Sequence, residues 1–185
     1  MMKSNFDLQP TLEDDILTLT PLKEEDLDDL YNVASDPLIW EQHPSKDRCQ
    51  RDVFELFFKD AMASGGAFAI IDKTTGEIIG STRFHSIKEI ENAIEIGWTF
   101  LAREYWGGQF NKAMKILMID HAFHFVDNVL FYIDENNFRS QKAVEKMGGK
   151  RITALNGVTL EKRPNASVIY HIPKKSWKEK QEPSF

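Results

Sequence analysis

Apolar residues alternate with threonine over residues 16–21, then recur at helical spacing as Leu27, Leu30, Tyr31 and Ala34. The first pattern lines one face of a strand; the second lines one face of a helix over residues 23–34. The acidic run 24–29 suits the positive end of that helix and reads as a solvated face. Asp36-Pro37 ends it, because a residue before proline is pushed out of helical conformation. A short aromatic segment, 38–44, follows. A second helix over 52–62 then aligns Phe54, Phe57, Phe58 and Ala61, and Ser64-Gly65-Gly66 stops it.

Three strands come next in succession, at 67–72, 77–84 and 92–101. Lys73-Thr74-Thr75-Gly76 joins the first two as a hairpin. A long helix over 110–125 carries Phe110, Ala113, Met114, Leu117 and His121 in register. A buried strand at 129–133 leads to a helix over 137–147, capped by Asn137 and ended by Gly148-Gly149. Residues 150–155 and 167–172 form a last antiparallel pair, around a polar loop. The order β-α-α-β-β-β-α-β-α-β-β predicts one α+β domain with a mostly antiparallel sheet. Adjacent strands from 67 to 101 argue against a Rossmann-like nucleotide-binding protein, whose strands and helices alternate throughout. The domain is expected over 16–175, with a tail or edge strand at 1–15 and a charged tail at 176–185.

Composition narrows the function classes. A chain of 185 residues suits one sizeable core. A net charge of −6 disfavours nucleic-acid binding and weakly favours a cationic small-molecule partner. No apolar run approaches the ~18 residues of a membrane helix, and the first ten residues lack the apolar core of a secretory signal. The single cysteine, Cys49, excludes an internal disulfide and reads as structural. These features predict a cytoplasmic protein. His43, His85, His121, His124 and His171 lack metal-ligand spacing with each other or with Cys49, so no metal is expected. His121, on the apolar side of its helix, reads as packed.

The stretch Arg103-Glu104-Tyr105-Trp106-Gly107-Gly108-Gln109-Phe110-Asn111-Lys112 carries the strongest chemical signal, between a strand and the long helix. Two glycines let a backbone turn tightly and approach a ligand. The free N–H groups of a first helical turn, with the positive end of its dipole, bind phosphate. A pyrophosphate-bearing cofactor is therefore expected here. The motif is neither a P-loop nor a dinucleotide fingerprint, since the required G-x-x-x-x-G-K-[ST] and third glycine are absent. A plain tight turn is the alternative reading.

Four stretches, in order and at matching separations, resemble the GNAT N-acetyltransferase family and its ribosomal-protein acetyltransferase-like (RimJ/RimL-type) branch. They are Leu19-Thr20-Pro21-Leu22-Lys23-Glu24-Glu25-Asp26-Leu27, Ile94-Glu95-Ile96-Gly97-Trp98, Tyr105-Trp106-Gly107-Gly108, and Asn137-Phe138-Arg139-Ser140 running into Glu145-Lys146-Met147-Gly148. The resemblance covers about residues 16–175. It implies a single-domain, mixed and mostly antiparallel sheet flanked by helices, with acetyl-CoA as donor. The acceptor it implies is a primary amine, on a small molecule or a protein N-terminus. By resemblance, Gly107, Gly108, Gln109, Phe110, Asn111 and Lys112 hold the pyrophosphate, and Trp98, Thr99, Phe100 and Leu101 offer backbone to the pantetheine. A backbone N–H there polarises the thioester carbonyl, as an oxyanion hole does. The resemblance also implies that Asn137 contacts the pantetheine arm and that Trp40 and His43 lie towards the acceptor; His85 ends the third strand near that side, and Lys142 either reaches CoA phosphates or is a solvated helix lysine. Glu104 and Gln109 depart from the family turn, and Gly149 stands where an aromatic often follows.

Transfer needs a neutral amine and a proton for the departing thiolate. Glu95, the one charge between Ile94 and Ile96, is the candidate base, with Glu89 and Glu91 behind it. The competing reading makes Glu95 an exposed residue on the solvent face of the sheet. Ser140 is the candidate acid, or a residue completing the helix cap, and Tyr132 is the fallback. No activated Cys or Ser nucleophile stands out, so direct attack in a ternary complex is expected. A non-catalytic acyl-CoA-binding regulator is the rival. Either a monomer or a homodimer is compatible with the sequence.

Overall fold

Alternation at 17–21 produces β2 (Leu17–Pro21), whose Leu17 and Leu19 are fully buried on one face while the threonines, on the other, are half buried. The computed structural model describes residues 6–88, 90–163 and 168–181. Two compact units emerge, one from residues 7–85 and 97–118, the other from Phe6, 86–96 and 119 onward.

In the first unit, β1 (Leu12–Glu13), β2, β3 (Ala67–Asp72) and β4 (Ile78–Ser86) pair antiparallel in sequence order. The C-terminal half of β5 (Ala93–Leu101) lies beside β4. Their approach is close enough that a Cβ at Gly80 would stand 2.1 Å from the Phe100 carbonyl oxygen. Two helices cover this sheet, α1 (Leu27–Ala34), preceded by a 3-10 turn at Glu24–Asp26, and α2 (Arg51–Ser64). They meet it through Leu30, Ala34, Phe54, Phe58 and Ala61, the stripe expected from helical spacing, and Phe100 of β5 joins the cluster. Truncating one such buried phenylalanine costs about 3–5 kcal/mol. α3 (Phe110–Ala122) starts at the expected residue in this unit.

The second unit builds on the first half of β5. β6 (Asn128–Ile133) runs parallel to it, β10 (Val168–Pro173) pairs antiparallel with β6, and β7 (Lys150–Ile152) pairs antiparallel with β10. α4 (Phe138–Lys146) is capped as expected, the Asn137 side chain accepting from the Ser140 N–H at 3.1 Å. The α+β class with mixed, mostly antiparallel pairing agrees with the sequence.

β1 is an edge strand within residues 1–15, where a tail or edge strand was expected. Two features were not foreseen. The segment after β7 folds into a small hairpin, β8 (Ala154–Leu155) with β9 (Val158–Thr159). Residues 174–181, read as the start of a charged tail, form a helix, α5 (Lys174–Gln181): Trp177 is buried and its indole N–H donates to Asp120 Oδ1 at 2.6 Å. Among the described residues, no helix is long and apolar enough to cross a membrane.

Candidate active site

β5 changes character at its middle. Ala93, Ile94, Glu95 and Ile96 are all buried, and the parallel register with β6 runs from Ala93↔Asn128 to Glu95↔Leu130 and ends there. Gly97, Trp98 and Thr99 are half exposed, and Trp98 takes φ +52°. A bulky residue in the left-handed region costs about 1–3 kcal/mol, so the surroundings must hold it. They do so with His85, whose ring stands edge-on at 5.3 Å, and with the Arg83 guanidinium 4.6 Å from the Trp98 ring centroid. Thr99 Oγ1 lies 2.9 Å from Thr82 Oγ1. Phe100 and Leu101 return to the core.

The glycine turn is fastened by the residues before it. The Trp106 indole N–H donates to the Leu101 carbonyl at 2.9 Å, the Tyr105 hydroxyl donates to Asp72 Oδ2 at 3.0 Å, and Arg103 pairs with Asp36. Gly107 then turns at φ +69°, a region glycine enters without steric cost. The Gln109 carbonyl accepts the first helical bond from Ala113 at 2.9 Å. The side chains of Glu104, Gln109 and Lys112 are exposed and Asn111 is half buried. A Cβ at Gly108 would meet only the Tyr105 carbonyl, at an ordinary 3.9 Å. Packing within the chain thus does not demand glycine there, whereas a close external anion would.

Glu95 is 2% exposed, which overturns the reading of a solvent-facing glutamate. Arg163 Nη1 lies 3.0 Å from one carboxylate oxygen and 2.8 Å from the other. The same guanidinium sits 4.0 Å from the Tyr132 ring centroid. Arg163 had no signal in the sequence, where it lies in a polar loop. Glu91 is exposed, and Glu89 lies outside the described residues. On α4, Asn137 and Ser140 share the cap described above, Ser140 is half buried and Lys142 is exposed.

The residues expected towards the acceptor divide. Trp40 is 2% exposed and its indole N–H donates to the Ala34 carbonyl at 2.8 Å, so its ring belongs to the core. His43 stands edge-on to that ring at 5.7 Å and is half buried. His121 packs between Phe6 and Phe125. Gly149 has a structural reason: a Cβ there would stand 2.4 Å from Val144 Cγ1, which leaves no space for an aromatic. A separate cleft of about 810 Å³, lined by Glu135, Arg151, Leu160 and Lys162, contains none of the sequence-predicted residues. Among the described residues, no group of three or more His, Cys, Asp or Glu side chains is arranged to hold a metal ion.

Known proteins resemble this chain in sequence and fold. The acetyltransferase (GNAT) domain profile matches residues 17–150. A Bacillus licheniformis protein described as uncharacterized N-acetyltransferase p20 is 31% identical over 158 residues, covering 82% of this chain and 83% of that one. Among solved structures, a GCN5-related N-acetyltransferase from Brucella melitensis superposes with a TM-score of 0.73 at 19% identity, covering 92% of this chain and 81% of that one. Mycobacterium smegmatis RimJ, in complex with CoA-disulfide, gives 0.66 at 14% identity, covering 90% and 87%. At such identities the two structures attest the fold alone. The domain match and the p20 relative carry the assignment further: this chain belongs to the GNAT acetyltransferase family and is an acyl-CoA-dependent acetyltransferase.

Proposed function

We propose that the protein transfers acetyl from acetyl-CoA to a primary amine by direct attack in a ternary complex. The observation that carries this is the change in β5, where pairing with β6 ends at Glu95 and Trp98 is held at φ +52°. Backbone groups of residues 97–100 fit the pantetheine arm, and one N–H there fits the thioester oxygen as an oxyanion donor. The Leu101 carbonyl is already taken by Trp106, which narrows the expected contact to the residues before it. The amides of 108–112, at the start of a 13-residue helix, fit the pyrophosphate. Lys112, exposed on the first turn, adds positive charge. Acetyl-CoA supplies an activated acyl group; the chain supplies position, a proton acceptor and a proton donor.

Glu95 is assigned as the base. Arg163 Nη1 hydrogen-bonds Glu95 Oε1 and only ion-pairs with Oε2, so Glu95 takes a proton, directly or through water, at Oε2. Ser140 is assigned to the departing thiolate as a hydrogen-bond donor, with Tyr132 in reserve. Asn137 is assigned both the helix cap and a pantetheine contact. The four matching stretches favour the RimJ/RimL-type branch, and the reading makes the enzyme cytoplasmic.

The test is thiol release from acetyl-CoA across a panel of amines and N-terminal peptides, with binding followed by calorimetry. Micromolar binding with amine-dependent release is expected. Binding without release across the panel would replace the enzyme with an acyl-CoA-binding regulator.

A further inference from the structure

The first compact unit places two arginines against aromatic rings, and one of them has more N–H donors than the described residues give it acceptors. Arg83, in β4, is 3% exposed. Its Nη1 donates to Asp60 Oδ2 at 2.8 Å, while Nε and Nη2 are buried with no hydrogen-bond partner among the described residues. The guanidinium faces Trp98 at 4.6 Å and Phe57 at 5.9 Å. Aromatic faces attract a cation but do not accept its remaining hydrogen bonds in good geometry.

Arg48, half buried in the 3-10 turn Lys46–Cys49, lies over the same Phe57 ring at 4.4 Å and over Trp40 at 5.4 Å. Its Nη1 is 3.2 Å from His43 Nε2. The Ser45 N–H already donates to His43 Nδ1 at 3.0 Å. A neutral imidazole offers one acceptor nitrogen, so His43 can accept from Ser45 or from Arg48 but not from both. Burial first, then the like charge of Arg83, pushes Arg48 down to about 10, against the opposing charges of Asp47 and Asp60. The Asp60 side chain is 69% exposed.

We propose that Arg48 and Arg83 are specificity determinants that dock a carboxylate on the acceptor, so that the substrate is a small amine bearing a carboxylate, of amino-acid type, rather than a polyamine. The planar forks of two arginines match the two oxygens of a carboxylate. Phe57 and Trp98 supply flat walls beside a planar anion. Arg48, the more exposed member, meets the anion first, and its release from His43 opens the way to Arg83. The docking point adjoins Trp98, at the kink where the donor is proposed to bind. This inference rests on the acetyltransferase reading and reverses the preference suggested by the net charge of −6.

The experiment compares kcat/KM for matched acceptors: free amino acids, their amides, spermidine, and peptides with acidic N-terminal residues. The free acid should exceed its amide by at least about 30-fold, since a site built to bond a group rejects the analogue lacking it. Arg48→Gln and Arg83→Gln should each bring that ratio to within about 3-fold, the bonds that set it having been removed. Circular dichroism and acetyl-CoA binding check that each variant folds. Arg48→Gln is the safeguard if the buried Arg83 variant does not. Equal use of acid and amide, preference for spermidine or for the acidic peptides, or an unchanged ratio in a folded variant would overturn the proposal. Absence of turnover with every amine would remove the acetyltransferase reading instead. Calorimetry of the amino acid and its amide on the wild type would then decide: binding of the acid alone supports the docking point, and equal or absent binding overturns it.

Discussion

Glu95 in β5 and Arg83 in β4 are both charges buried among apolar strand residues, at 2% and 3% exposure, yet their surroundings answer them differently. Glu95 has a guanidinium against both oxygens. Arg83 has one of its three nitrogens bonded, to a carboxylate that is itself largely in solvent. A buried charge with its counter-charge in place can be structural, catalytic or both. A buried donor without an acceptor is tolerated at a cost of about 1–3 kcal/mol, which makes sense where a ligand completes it. Equal burial therefore does not mean equal role.

The largest effect should come from Glu95→Gln. Removing a general base lowers kcat/KM by roughly 100- to 10,000-fold. Acetyl-CoA binding should stay within about 3-fold, because no donor-binding role is assigned to that carboxylate. Steady-state kinetics with calorimetry measures both. Retained turnover would make Glu95 purely structural.

Stability measurements sharpen the contrast between the two charges. Arg163→Met withdraws the guanidinium from a buried carboxylate and should cost about 2–3 kcal/mol, a figure discounted for the partial exposure of Arg163. Arg83→Met removes two unpartnered donors and leaves only the solvated Asp60 behind, so its cost should stay within about 1 kcal/mol. Urea denaturation of the two variants side by side would show whether the less buried arginine matters more.

A third buried charge extends the series. Lys115 on α3 is 6% exposed, and burial pushes it down from 10.5 to about 8. At pH 7 both folded and unfolded chains hold the proton, and the folded state bears the cost of the buried ammonium. As pH rises through 8 the folded state sheds the proton first, so the handicap fades towards pH 10.5. Lys115→Met should therefore stabilise the fold by about 2 kcal/mol at pH 7, with the gain shrinking by pH 10. Denaturation midpoints at the two pH values test this. Asn137→Ala loses the α4 cap and should cost about 1 kcal/mol in a thermal melt.

What the sequence revealed tracks how much local pattern each feature carries. β3 spans the expected 67–72, and α3 starts at the expected Phe110, two residues past the glycine pair. The β8–β9 hairpin was missed because two-residue strands carry no periodicity. α5 was missed because Trp177 is a lone apolar anchor in a charged run. The lone charge between two isoleucines did single out Glu95, but period-two alternation cannot say which face of a sheet is covered. Arg83, between polar Thr82 and apolar Phe84, carries a weaker signal and went unread. Arg163 was out of reach, since a partner brought 68 residues along the chain leaves no local trace. Trp40 read as a lining residue because an aromatic after a helix looks the same from either side of a core.

Hydrogen–deuterium exchange with and without acetyl-CoA tests the placement of the donor site most directly. The account predicts protection of backbone amides at 97–100 and 108–112, on the kinked half of β5 and the first turn of α3. Protection confined to the cleft lined by Arg151 and Lys162, or no protection under saturating acetyl-CoA, would contradict it.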